Sequence, residues 1–150
     1  IYNIIIMLRN INYKGFSPDP MNFDFGTRPC QCVLHYPDYT IIFFPSGKCR
    51  IMGCKKPIDA SSLPHNITNV TIQSITVTCD YGEPINLKAL AENTPSIYEP
   101  ELFPAVRLTC FNPLCVNVFH TGKIVITGLK DLDFSDFVTS VLDYILFFTL

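Results

Sequence analysis

Side chains capable of catalysis or metal binding are present in this chain, but their spacing does not gather them. His35, His65 and His120 are scattered, with no nucleophile elbow or phosphate loop nearby. Seven cysteines is a high count. One residue separates Cys30 from Cys32, and four separate Cys49 from Cys54 and Cys110 from Cys115. None of these is the paired two-residue spacing of a structural zinc site, and an odd total fits a disulfide framework poorly. They read as small buried hydrophobes of a reduced cytosolic or nuclear protein. Asp131, Asp133 and Asp136 read as the acidic first turn of a helix rather than a metal site. The expectation is therefore no enzyme, no metal and no cofactor. What remains is recognition chemistry, in lysines beside glycine turns, exposed phenylalanines, and a carboxylate-flanked loop.

The elements that carry those groups are written twice. With Phe44 over Phe119, six of twelve positions are identical: Phe44/Phe119, Gly47/Gly122, Lys48/Lys123, Ile51/Ile126, Gly53/Gly128 and Lys55/Lys130, all at an offset of 75. Pro37 over Pro113 at an offset of 76 implies one residue deleted in the second copy, and Asn3-Ile4-Ile5-Ile6 lies over Ser74-Ile75-Thr76-Val77 at an offset of 71. This is an internal duplication, with copies spanning 1–70 and 71–150 of one domain. The β-branched runs Ile1–Arg9 and Thr71–Cys79 predict strands. Tyr39–Phe44 and Cys49–Met52 around Pro45-Ser46-Gly47-Lys48 predict a hairpin, repeated by Val116–Phe119 and Ile124–Thr127 around His120-Thr121-Gly122-Lys123. Apolar residues at helical spacing predict a helix over Asp131–Phe148, and a short one over Ile85–Asn93 with Leu87 and Leu90 inward. Pro18, Pro20, Pro57 and Pro64 interrupt the corresponding positions of the first copy, which reads as stripped to its strands. An apolar sheet face needs a second layer, so Ile41, Phe43 and Cys54 are expected to lie under-covered until another subunit or more chain packs there.

The whole-chain numbers narrow the classes. At 150 residues, 48% hydrophobic and 13% aromatic, the chain can bury a core and is not disordered. No run approaches the roughly 18 apolar residues that span a bilayer, so no membrane partner is expected. Ile1–Leu8 lacks a basic start and a cleavage site, which argues against a signal peptide, and the opening Ile points to a fragment. The sequons at Asn66 and Asn69 stand alone as hints of secretion. A net charge of −2 argues against strong non-specific nucleic-acid binding and leaves room for a local basic stripe.

Tyr98-Glu99-Pro100-Glu101-Leu102-Phe103-Pro104 and His120-Thr121-Gly122-Lys123-Ile124-Val125-Ile126-Thr127-Gly128-Leu129-Lys130, with their echo in Pro45–Lys55, resemble the TATA-box-binding protein family. The resemblance is close over Thr71–Lys130, moderate over Cys30–Lys55 and weak elsewhere. It implies an α+β fold, a saddle whose curved antiparallel sheet lays its concave side on the DNA minor groove, with helices on the convex side.

The resemblance also implies residue roles. Phenylalanines of each repeat wedge between base steps and kink the duplex; Phe103 and Phe119 stand at both wedge positions of the second repeat. Phe44 stands at one in the first, while the other falls on Thr27, with Phe25 two residues away. Asn3 and Ser74 occupy the paired asparagine positions that read groove acceptors. Ile5, Ile42, Thr76, Val125 and Thr127 keep the face apolar or neutral. Three positions depart from the pattern: Asn117 replaces an aliphatic residue, Arg50 a small one and Met52 a threonine. An arginine suits the negative potential of a narrow A·T-rich groove. Val33 and Thr109 fall where phosphate-binding arginines are expected, while Lys48, Lys55, Lys123 and Lys130 keep the lysine positions. Glu99, Glu101 and Leu102 match the loop that meets transcription factor IIB.

Two functions follow. One is a nuclear initiation factor that binds and bends A·T-rich double-stranded DNA and recruits a factor-IIB-like protein and the RNA polymerase machinery. The other is an interaction subunit of a transcription complex with little DNA affinity. A saddle-like domain of nucleases or glycosylases would lack Tyr98–Pro104. Abundant Ile, Asn, Phe and Tyr hint at an A·T-rich genome, for which a DNA virus with a cytoplasmic factory, or a protist, is a candidate source.

Overall fold

β-Branched and aromatic runs become strands because their side chains pack well on a pleated surface. A computed structural model describes residues 5–18 and 32–149. Its described residues form β1 (Ile6–Phe16), β2 (Cys32–His35), β3 (Thr40–Phe43), β4 (Lys48–Cys54), β5 (Thr68–Asp80), α1 (Leu87–Asn93), β6 (Ser96–Ile97), β7 (Ala105–Leu108), β8 (Cys115–Phe119), β9 (Lys123–Leu129) and α2 (Ser135–Thr149). No helix among them is long and apolar enough to cross a membrane. The chain divides into an N-terminal unit, Arg9–Ile75, and a C-terminal unit, Thr76–Leu150 together with Ile1–Leu8.

In the C-terminal unit the strand order is β5-β9-β8-β7-β6. Alternation puts Val106, Leu108, Val116, Val118, Ile124 and Ile126 on one sheet face, all fully buried. Leu90 of α1 and Val138, Val141, Leu142 and Ile145 of α2 are buried as well. Asn86 caps α1, its side-chain oxygen accepting from the Ala89 N–H at 3.1 Å. The second helix is shorter than its periodicity predicts. Asp131 turns its carboxylate back to accept the Asp133 N–H at 2.9 Å, a local turn that competes with helix. The first helical residue is Ser135, and of the three acidic residues only Asp136 lies in the first turn.

The N-terminal unit has the order β2-β3-β4-β1-β5. Here Ile11, Ile41, Phe43, Cys49, Ile51 and Cys54 are buried. The expected gap over Ile41, Phe43 and Cys54 is therefore absent; each is at most 1% exposed in the isolated chain. Unit-closing contacts come from the loop between β4 and β5. The Ile58 N–H donates to the Tyr13 hydroxyl at 3.3 Å, and the Ser17 hydroxyl donates to the His65 carbonyl at 3.1 Å. His65 also stands edge-on to Phe43, with ring centroids 5.4 Å apart. The prolines that bar a helix here leave a loop that reaches Phe43 through His65. Among the described residues this unit holds no α-helix, only a single turn of 3-10 helix at Ala60–Ser62.

Candidate nucleic-acid interface

The face of each sheet opposite its core collects the residues singled out by spacing. In the C-terminal unit, β7, β8 and β9 align Arg107, Asn117 and Val125 in one cross-strand row, and Cys115 opposite Thr127 in another. Ala105 opposes Phe119. Phe103, 44% exposed at the end of the acidic loop, meets Phe119 edge to face with ring centroids 5.9 Å apart. That geometry suits the ring quadrupoles, and it gives the unit a paired aromatic corner. Lys123 and Lys130 are exposed at the ends of β9.

The loop before Phe103 is locally self-supporting. The Leu102 and Phe103 N–H groups both donate to the Glu99 carbonyl at 2.9 Å. This turn lifts Leu102 to 80% exposure, with Glu99 and Glu101 exposed beside it. The apolar tip flanked by carboxylates therefore lies on the surface rather than in the core.

In the N-terminal unit the equivalent row runs Val33, Ile42, Arg50 and Lys14 across β2, β3, β4 and β1. Met52 pairs with Thr40, and Lys48 with Phe16. The turns of the two hairpins are built alike. The Gly47 N–H donates to the Phe44 carbonyl at 2.9 Å, and the Gly122 N–H to the Phe119 carbonyl at 3.0 Å. Both glycines hold positive φ, +94° and +97°, a region that side chains disfavour. Phe44 is half-buried and Lys55 exposed. Ser74 and Thr76 are half-buried and alternate with the fully buried Ile75 and Val77. Ile5 is 73% exposed. Asn3, Phe25 and Thr27 lie outside the described residues.

Four residues of these open faces escape the sequence motifs: Lys14, Phe16, Gln73 and Arg107. Strand alternation past Arg9, with Ile11 and Tyr13 inward, was the available signal for Lys14 and Phe16. Arg107 sits two residues before Thr109, which starts a 3-10 turn and is half-buried. Val33 is half-buried and apolar in its row. Neither Val33 nor Thr109 supplies a cation; Arg107 and Lys14 do. Asn117 departs most sharply from an apolar face, since its Oδ1 is buried with no hydrogen-bond partner.

The cysteines offer no reactive centre in the buried set. Burial pushes the Cys49 and Cys79 thiols up to about 11, which keeps both neutral at ordinary pH. Among the described residues no group of His, Cys, Asp and Glu is arranged to hold a metal ion.

Comparison with known proteins agrees with the motif. Residues 69–142 match the family described as transcription factor TFIID, or TATA-binding protein. The TATA-box-binding protein of Saccharomyces cerevisiae is 34% identical over 113 residues, covering 65% of this chain and 47% of that one. That of Methanothermococcus thermolithotrophicus is 32% identical over 117 residues, covering 68% and 65%. The solved structure of Methanococcus jannaschii TBP superposes with a TM-score of 0.77 at 26% identity, covering 94% of this chain and 98% of that one. The chain spans about half the length of the yeast relatives it matches. It has the α+β fold of these proteins, and it is a divergent member of the TATA-box-binding protein family.

Proposed function

We propose that this chain is a transcription initiation factor that binds A·T-rich duplex DNA from the minor-groove side and bends it. The observation that carries this reading is the Phe103–Phe119 pair, two rings 5.9 Å apart on an open face. Apolar rings of this kind enter a base step, unstack it and kink the duplex. Ile5, Ile42, Phe44, Met52, Ser74, Thr76, Val125 and Thr127 supply groove contact, Asn3 and Asn117 amide contact, and Arg50, Lys48, Lys55, Lys123 and Lys130 charge. The repeats are assigned to 1–70 and 71–150, and the site of action is the nucleus. Glu99, Glu101 and Leu102 form the dock for a factor-IIB-like protein, with charge setting orientation and Leu102 supplying apolar contact.

A fluorescence-bend assay on A·T-rich and G·C-rich duplexes tests the reading. Binding with a large bend is expected on the A·T-rich duplex. Phe103→Ala and Phe119→Ala should each lose the bend and about 1–3 kcal/mol of binding. A folded protein that leaves both duplexes straight at low salt would overturn it. Asn117, whose buried acceptor interrupts an apolar face, favours a second reading: an interaction subunit that works through the acidic loop. In that case Leu102→Ala and Glu101→Lys should abolish capture of a factor-IIB-like protein while DNA plays no part.

A further inference from the structure

The last helix carries aromatic surface that the core does not use. On α2, Val138, Val141, Leu142 and Ile145 form the buried stripe. At 3.6 residues per turn, Phe137, Tyr144 and Phe148 fall along one flank of that stripe. Asp136, Ser140, Asp143 and Phe147 fall along the side facing away from it. Phe111, from the 3-10 turn Thr109–Phe111, joins the flank. Its ring meets Phe137 with centroids 6.0 Å apart and Tyr144 at 5.3 Å, both edge to face. Tyr144 meets Phe148 at 4.9 Å, and Phe148 meets Phe147 at 4.9 Å. The rings thus make one continuous ladder along three turns of helix, about 16 Å. Phe111, Phe137, Tyr144 and Phe148 are half-buried, and Phe147 is 77% exposed. Contiguous apolar surface of this kind marks an interaction site.

Charge decides what the ladder can receive. From residue 131 to 150 the chain carries Asp131, Asp133, Asp136 and Asp143 and no Lys, Arg or His. Asp136 and Asp143 are exposed in the row beside the rings. Their carboxylates repel nucleic-acid phosphates and anionic lipid headgroups, and an isologous contact would bring the acidic rows of two copies together. They attract ammonium and guanidinium groups, which also stack on aromatic faces. We infer that the α2 ladder docks a basic amphipathic helix of a partner protein, whose cations reach Asp136 and Asp143 and whose apolar side chains cover the rings. Such a helix places its anchors at three-to-four spacing, the spacing at which α2 presents its own. The inference stands apart from the function proposed above, since none of these residues belongs to the open sheet faces or the acidic loop.

The test uses the full chain and a labelled helical peptide with arginines and leucines on adjacent faces, titrated by fluorescence anisotropy over a range of salt. The same peptide with Glu in place of Arg is the charge control. The arginine peptide should bind and the glutamate peptide should not. Phe147→Ala should weaken binding roughly five-fold with the salt dependence unchanged. Its melting temperature should match the wild type, because that ring is largely exposed. Asp136→Asn combined with Asp143→Asn keeps the side-chain sizes, and should weaken binding roughly three-fold while flattening the salt dependence. Leu102→Ala should leave peptide affinity unchanged. DNA bending by the α2 variants should equal that of the wild type, so the duplex reading and this one fail separately. If Leu102→Ala weakens the peptide as much as Phe147→Ala does, the peptide sits on the acidic loop and the inference is overturned. A wild-type dimer that Phe147→Ala returns to monomer in sedimentation would make a second copy the occupant and overturn it too. Should Phe147→Ala melt lower, the double Asp variant decides, and unchanged affinity and slope there would overturn the inference. No binding of the arginine peptide by the folded chain, or equal binding of the glutamate peptide, would do the same.

Discussion

Asn117 and the buried thiols show how one side chain is judged by its surroundings. An amide oxygen buried without a partner costs about 1–3 kcal/mol, and an isosteric leucine would remove that cost. Asn117→Leu is expected to raise unfolding free energy by about 1 kcal/mol, read as a higher urea midpoint at an unchanged slope. The cysteine spacings argue against a zinc site, but spacing alone could not rank the thiols. Burial raises the folded-state affinity of Cys49 and Cys79 for their protons above the ordinary thiol value of 9.0. A raised folded value means the native state binds more protons than the unfolded chain as both begin to titrate. Stability from these sites is thus fully present below about pH 9 and lost on rising toward about 11. Cys110, exposed, should alkylate well ahead of them.

The hairpins were legible because their turns need glycine, but what those glycines touch was not. At Gly122 an added Cβ would run into the backbone oxygen of Glu83, which can move only with its loop. At Gly47 it would meet the rim of the Phe16 ring and the Ser17 carbonyl at 2.9 Å. Both substitutions carry a dihedral penalty of about 1–3 kcal/mol for a side chain at positive φ. Gly122→Ala is expected to destabilise more than Gly47→Ala in urea unfolding, since its Cβ would press closer on a backbone oxygen than the one at Gly47 does. The same distinction explains α2. Its apolar spacing was readable, whereas the turn at Asp131, where the carboxylate accepts the Asp133 N–H, was not.

Charge belongs to the chain as a body. A net charge of −2 gives little long-range attraction for a polyanion, so the proposed DNA binding has to come from lysines and arginines set on the open faces. If Lys48, Lys55, Lys123 and Lys130 each neutralise one phosphate, log K should fall with log salt at a slope of about −4. Titration of an A·T-rich duplex across salt concentrations checks this. A slope near zero would mean that these lysines do not reach the backbone. A slope steeper by about two would implicate Lys14 and Arg107 as well.

The sequence by itself determined the duplication, the hairpins, the helix near the end and the family, because each depends on local periodicity or on a contiguous motif. It also located Phe103 and Phe119 as a pair, since the loop and the turn that present them lie in the motif. Only the tertiary structure decided that Ile41, Phe43 and Cys54 are already covered, because burial depends on contacts between segments far apart in the chain, such as His65 against Phe43. Likewise, Lys14 becomes the neighbour of Arg50 only through the β1–β4 register. That register is a pairing between residues far apart in the chain, and a bulge between Ile11 and Tyr13 shifts it. Local patterns fix what a segment is, and long-range pairing fixes what its side chains face.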